Sequence, residues 1–200
     1  AKRLARWALA KDYGVDIMTS GDHIRDRREI DLFLKESNRL LKPINYVDMP
    51  GPGASVIETD SGISIGVINV VGKTFMEDYG NPFTWADEAL SQISGAQVKL
   101  VDLHGEATSE KVALGWYLDG KVSAVWGTHT HVQTADEQIL PKGTGYLTDL
   151  GFCGGHKGVL GRVTEKVLAR QLGTSEGYLE VSDEWPQLDG CIFDIDVTTG

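Results

Sequence analysis

Three short apolar runs in this 200-residue chain each end in histidine, and that repetition limits how the chain can fold. Residues 15–18 lead through Thr19-Ser20-Gly21-Asp22 to His23, and residues 97–103 deliver His104. Residues 121–126 lead through Gly127-Thr128 to His129, Thr130 and His131. In open α/β sheets, ligands gather beyond the carboxyl ends of the strands. Parallel strands over these runs bring four of the five histidines to one edge. Imidazole and carboxylate concentrated there are donors suited to a divalent metal. In extended chain His129 and His131 point to the same side, with Thr130 turned away.

The residues between these runs agree with an α/β sheet. Segments 54–59 and 63–71 flank Asp60-Ser61-Gly62 and read as a hairpin. Thr84 is placed to cap an amphipathic helix over 85–93 that Gly95 ends. A strand over 97–103, a helix over 108–118 burying Val112, Leu114 and Trp116, and a strand over 121–126 form a βαβ sequence. Further on, 146–150 reads as a strand, 163–172 as a helix, and 191–197 alternates like a closing strand. Near the start, Leu4, Trp7 and Ala8 share a helical stripe that stops at Gly14, and Asp26 is placed to cap a helix through 27–34. Hairpin and βαβ signals in one chain imply a single α/β domain with a mixed sheet. An opening at Ala1, without Met and already inside a helical pattern, is expected of a fragment.

Charge narrows the function. Lys and Arg number 19 against 29 Asp and Glu, a formal charge of −10. Such a chain repels duplex nucleic acid, so a phosphorylated ligand needs bound cations to draw it in. No apolar run reaches the length of a membrane span. Two cysteines, Cys153 and Cys191, are too few for a disulfide framework; they suit a reducing, cytoplasmic compartment and read as buried apolar filler.

A lone histidine after a strand is more often a hydrogen-bonded structural residue than a ligand, but three strand-end clusters together favour a metal site. Asp102 fits an outer acceptor that fixes an imidazole tautomer, or equally a carboxylate turned into the helix layer. Glu106 fits a partner for Lys111 or a cap for the helix opening at Thr108. His156 lacks a preceding strand and reads as loop decoration. The glycines around it (Gly154, Gly155, Gly158) do not form a phosphate-binding loop signature.

Gly21-Asp22-His23 resembles the Gly-Asn-His motif of calcineurin-like metallophosphoesterases. The runs 102–111 (Asp-Leu-His-Gly-Glu-Ala-Thr-Ser-Glu-Lys), 127–136 (Gly-Thr-His-Thr-His-Val-Gln-Thr-Ala-Asp), 139–144 and 148–151 resemble the YmdB-type branch of that superfamily. The resemblance covers most of the chain. It implies a four-layer α/β/β/α sandwich with mixed sheets, a dinuclear metal centre and hydrolysis of small phosphodiesters, with 2′,3′-cyclic nucleotides as substrates. By position, Asp22, His104, His129 and His131 are then metal ligands and His23 the catalytic histidine. Two divalent ions (Fe, Mn or Zn) are the implied cofactors, and a small nucleotide the partner, with no membrane or duplex nucleic acid and with self-association left open. Asp22 departs from the family's amide, adding negative charge that strengthens metal binding and weakens the pull on phosphate. The family's other ligands, an Asp after its first strand and a Glu-Asn pair after its second, have no counterpart in residues 1–200. The resemblance therefore implies one domain lacking its N-terminal strands and holding part of a two-metal site. The alternative is a non-catalytic scaffold or regulatory module that keeps the fold.

Overall fold

A computed structural model describes residues 12–200. The opening helix expected up to Gly14 lies almost wholly outside them. The sheet is built around β2 (Ser64–Val71) and β3 (Val98–His104), whose near-continuous Val, Ile and Leu suit strands covered on both faces. β1 (Ala54–Glu58) pairs with β2 antiparallel, from Ala54 opposite Ile68 to Glu58 opposite Ser64, closing the expected hairpin. β2, β3, β4 (Ala124–Thr128) and β6 (Gly145–Leu147) are parallel neighbours, and β5 (Gln138–Ile139) adds antiparallel to β6. The result is a six-stranded mixed sheet in the order β1-β2-β3-β4-β6-β5, an α/β fold. A second, two-stranded sheet pairs β7 (Cys153–Gly155) with β8 (Pro186–Leu188).

The crossovers between the parallel strands are α2 (Pro82–Gln92) and α3 (Thr108–Leu118). Their apolar stripes close on one face of the sheet, where Ile68, Val101, Val125, Ala89, Ile93 and Leu114 form a fully buried core. Period-two alternation sends Asn69, Asp102, His104 and Thr128 to the other face. The shared register places Val71, His104 and Thr128 side by side at the carboxyl edge. No described helix is long and apolar enough to cross a membrane.

Several local expectations shift. α2 starts at Pro82, not after Thr84, because Asn81 accepts the Phe83 N–H as N-cap and Pro82 presets the first turn. Asp26 ends a short 3-10 helix (Asp22–Asp26), and a separate α1 (Ile30–Glu36) follows. The apolar run at 15–18 makes a single bridge, Met18 to Leu40. Residues 191–197 form no strand. Their alternation reflects contact with the sheet's face, where Phe193 stacks on Trp126 at 6.0 Å, and not ladder pairing. Trp116 and both cysteines are exposed.

Candidate functional site

The carboxyl edge gathers side chains from three distant segments. His104 closes β3, and its neighbour across the ladder, Thr128, closes β4 and opens the turn carrying His129. Asp22 arrives from the first residue of the 3-10 helix. Gly21 allows this approach, because a Cβ there would overlap the imidazole of His104. Asp22, His104 and His129 each offer one ligand atom, all within 4.8 Å of one another.

The cluster has more polar contacts than hydrogens to fill them. Asp22 Oδ1 lies 2.9 Å from His104 Nε2, and His104 Nε2 lies 3.0 Å from His129 Nδ1. On the outside, His104 Nδ1 meets Thr128 Oγ1 at 3.0 Å, Thr128 Oγ1 donates to Asp102 Oδ1 at 2.9 Å, and His129 Nε2 meets Glu106 Oε2 at 3.1 Å. Burial holds the His104 imidazole below its usual pKa despite its contact with Asp22, so near neutrality it carries one hydrogen. Burial pushes the Asp22 carboxyl up, but the imidazoles of His104, His23 and His129 around it outweigh this and hold it low. Where each imidazole carries a single hydrogen, the five contacts share three, one each from His104, His129 and Thr128. In the tautomers that turn each imidazole hydrogen outward, the three outer contacts use all of them. Three lone pairs (Asp22 Oδ1, His104 Nε2, His129 Nδ1) are left facing one another, which is the donor arrangement a cation satisfies.

The outer partners decide one sequence reading and correct another. Asp102 does act on an imidazole, but through the Thr128 hydroxyl. It is 2% exposed, and burial pushes its carboxyl up to about 6. Glu106 pairs with His129, not with Lys111. Lys111 instead makes a fully buried ion pair with Asp149, Nζ to Oδ2 2.8 Å. The same Asp149 oxygen accepts the Thr130 N–H at 3.1 Å and the Thr130 hydroxyl at 2.7 Å, fixing the turn between His129 and His131. Sequence reasoning missed Thr128, Asp149 and Lys111 as supports; only the strand register reveals the first, and the last two are joined through the core.

His131 and His23 stand apart from the three-residue cluster. The turn is not extended, since His129 and His131 have φ of 113° and 62°, so the alternation expected of extended chain does not apply to them. His131 is exposed, its ring 5.9 Å from Phe152. Phe152 in turn stacks on His156 at 4.2 Å, so His156 belongs to a ring stack. His23 is 76% exposed, with Nδ1 3.4 Å from Asp26 Oδ1, and its backbone N–H donates to Asp22. The helix bearing both residues is held by Arg25, which makes a two-pronged contact with Asp48. The Arg25 guanidinium also lies 4.1 and 4.8 Å from the ring centres of Tyr46 and Tyr79.

A family model described as YmdB-like protein matches residues 6–200. A Bacillus subtilis (strain 168) protein named 2′,3′-cyclic-nucleotide 2′-phosphodiesterase is 42% identical over 188 residues, spanning 93% of this chain and 71% of its own length. The crystal structure of a hypothetical protein from Thermus thermophilus aligns with a TM-score of 0.83 at 39% identity, over 90% of this chain and 71% of that one. That of a phosphatase from Mycoplasma pneumoniae aligns with a TM-score of 0.79 at 31% identity, over 90% and 66%.

Proposed function

This chain belongs to the YmdB-like protein family, and from that premise we propose that it is a metal-dependent phosphodiesterase acting on 2′,3′-cyclic nucleotides in the cytoplasm. The observation that carries the reading is the set of three lone pairs converging from Asp22, His104 and His129. The activity named for the Bacillus subtilis relative supports the substrate class.

Asp22, His104, His129 and, across the Asp149-held turn, His131 would hold two divalent ions. Their mixed nitrogen and oxygen donors suit Fe, Mn or Zn. Bound divalent ions supply positive charge to a phosphoryl group and acidify water. In a chain with a formal charge of −10, that positive charge is also what attracts the phosphate. The protein's own contribution is positional. Thr128 and Glu106 hold the hydrogens of His104 and His129 outward, keeping the inward nitrogens free. As a water oxygen bonds to phosphorus and the bond from phosphorus to the 2′-oxygen breaks, His23, exposed to solvent and carried beside Asp22, donates in its protonated form to that departing oxygen, leaving the phosphate on the 3′-oxygen.

Incubation with Mn²⁺ and 2′,3′-cyclic AMP tests the reading, with the released nucleotide identified by chromatography. The expected product is the 3′-nucleotide. His23→Ala should lower turnover by roughly 10²–10⁴-fold with metal content unchanged. Metal uptake without hydrolysis of the cyclic diester would identify a regulatory or scaffold module instead.

A further inference from the structure

Phe75 is 88% exposed and holds a φ of +63°. Single exposed apolar side chains are ordinary, but a bulky residue in the left-handed region is a conformational outlier. Such strain persists only where the surroundings impose it, and it concentrates where ligands are gripped. Here the surroundings do impose it. The loop leaves the carboxyl end of β2 at Gly72, whose N–H donates to the carbonyl of His104 at 2.9 Å. Glu110, buried at the start of α3, then accepts the Lys73 N–H, the Thr74 N–H and the Thr74 hydroxyl, at 3.1, 3.2 and 3.0 Å. Gly72 lacks a Cβ because Glu110 occupies that space. Beyond Phe75, Tyr79 lies against Arg25 of the helix that bears Asp22 and His23. Both ends of the loop are thus pinned to segments of the cluster, and the ring between them is held out into solvent. The two other strained non-glycine residues of this edge are His129 and His131 themselves.

We propose that Phe75 is a stacking platform for the nucleobase of the substrate, an inference that rests on the function proposed above. A cyclic nucleotide with its phosphate at the cluster has one large uncharged group left to place. An aromatic face takes any base, because every base has a π-face, so the platform grips nucleotides without reading which base is present. A neutral ring is also compatible with the chain's excess of negative charge, where a polyphosphate groove is not.

Calorimetric titration in Mn²⁺ tests this with adenosine 3′-monophosphate against glycerol 2-phosphate, a base-free phosphomonoester. The wild-type chain should prefer the nucleotide. Phe75→Ala should reduce that preference by about 5-fold or more, and Phe75→Trp should keep it. Phe75→Gly should lose the preference yet melt at a higher temperature than Phe75→Ala, since glycine adopts this φ without strain. That opposition of binding and stability is not expected of a merely structural side chain. No nucleotide preference in the wild type, or a preference unchanged in Phe75→Ala, overturns the platform. Loss of preference in Phe75→Ala from a wild type that does not hydrolyse the cyclic diester supports the platform and counts against the hydrolytic reading alone.

Discussion

Asp22 Oδ1 and His104 Nε2 lie 2.9 Å apart, although 82 residues separate them in the chain. Neither has a hydrogen for the other once the outer partner of His104 is satisfied. The Thr128 hydroxyl, donating to Asp102, can only accept from His104 Nδ1, and so it selects which nitrogen of His104 is bare.

Thr128→Val removes that selection while keeping the side chain's shape. Mn²⁺ affinity measured by calorimetry should fall by about 10–100-fold. Imidazole nitrogen shifts of His104 in the metal-free protein should show its hydrogen moving from Nδ1 toward Nε2. Thr128→Ser should retain both properties, and an unaltered tautomer in Thr128→Val would contradict the relay.

Lys111 and Asp149 are fully buried, so removing one partner strands the other charge. Asp149→Asn should cost about 3–5 kcal/mol in urea unfolding. It should also loosen Thr130, and with it the spacing of His129 and His131. A loss below about 1 kcal/mol would show that the pair does not anchor the turn.

Arg25 packs against two tyrosine rings while gripping Asp48. Arg25→Ala should cost about 1–2 kcal/mol from the two ring contacts together. Arg25→Lys should recover only part of this, because an ammonium cannot reproduce the planar fork. Full recovery by lysine, read from the same unfolding curves, would reduce the clamp to simple charge.

Acid titrates a different support. Burial pushes the Asp136 carboxyl up, but the hydroxyls of Thr134 and Thr148 and the Thr148 N–H outweigh it and hold the group below its ordinary 3.8. A carboxyl depressed by folding contributes stability above its unfolded value and loses it as pH falls through the folded one. Asp136→Asn should therefore be less stable than wild type at pH 6, with the difference shrinking as pH drops below about 4. A difference constant from about pH 6 to about pH 2 would assign the effect to shape.

The sequence made the frame legible because its signals are local. Apolar runs at 63–71 and 97–103 became the two central strands, and the pattern at 108–118 became a helix over those residues. What stayed hidden depends on pairing across the fold. Thr128 becomes the acceptor for His104 only through the parallel register of β3 and β4. Lys111 meets Asp149 through the core, 38 residues on, where the nearer Glu106 had been the expected partner. His129 and His131 read as extended because alternation was the one rule available, whereas Asp149 bends their turn by binding Thr130.

Metal content per chain after equilibration with Mn²⁺ and gel filtration bears most directly on the central reading, that a cation completes the Asp22, His104 and His129 cluster. The wild-type chain should retain Mn²⁺, while His104→Ala and His129→Ala, folded by circular dichroism, should lose it. Equal metal content in all three proteins, or none in the wild type, would contradict it.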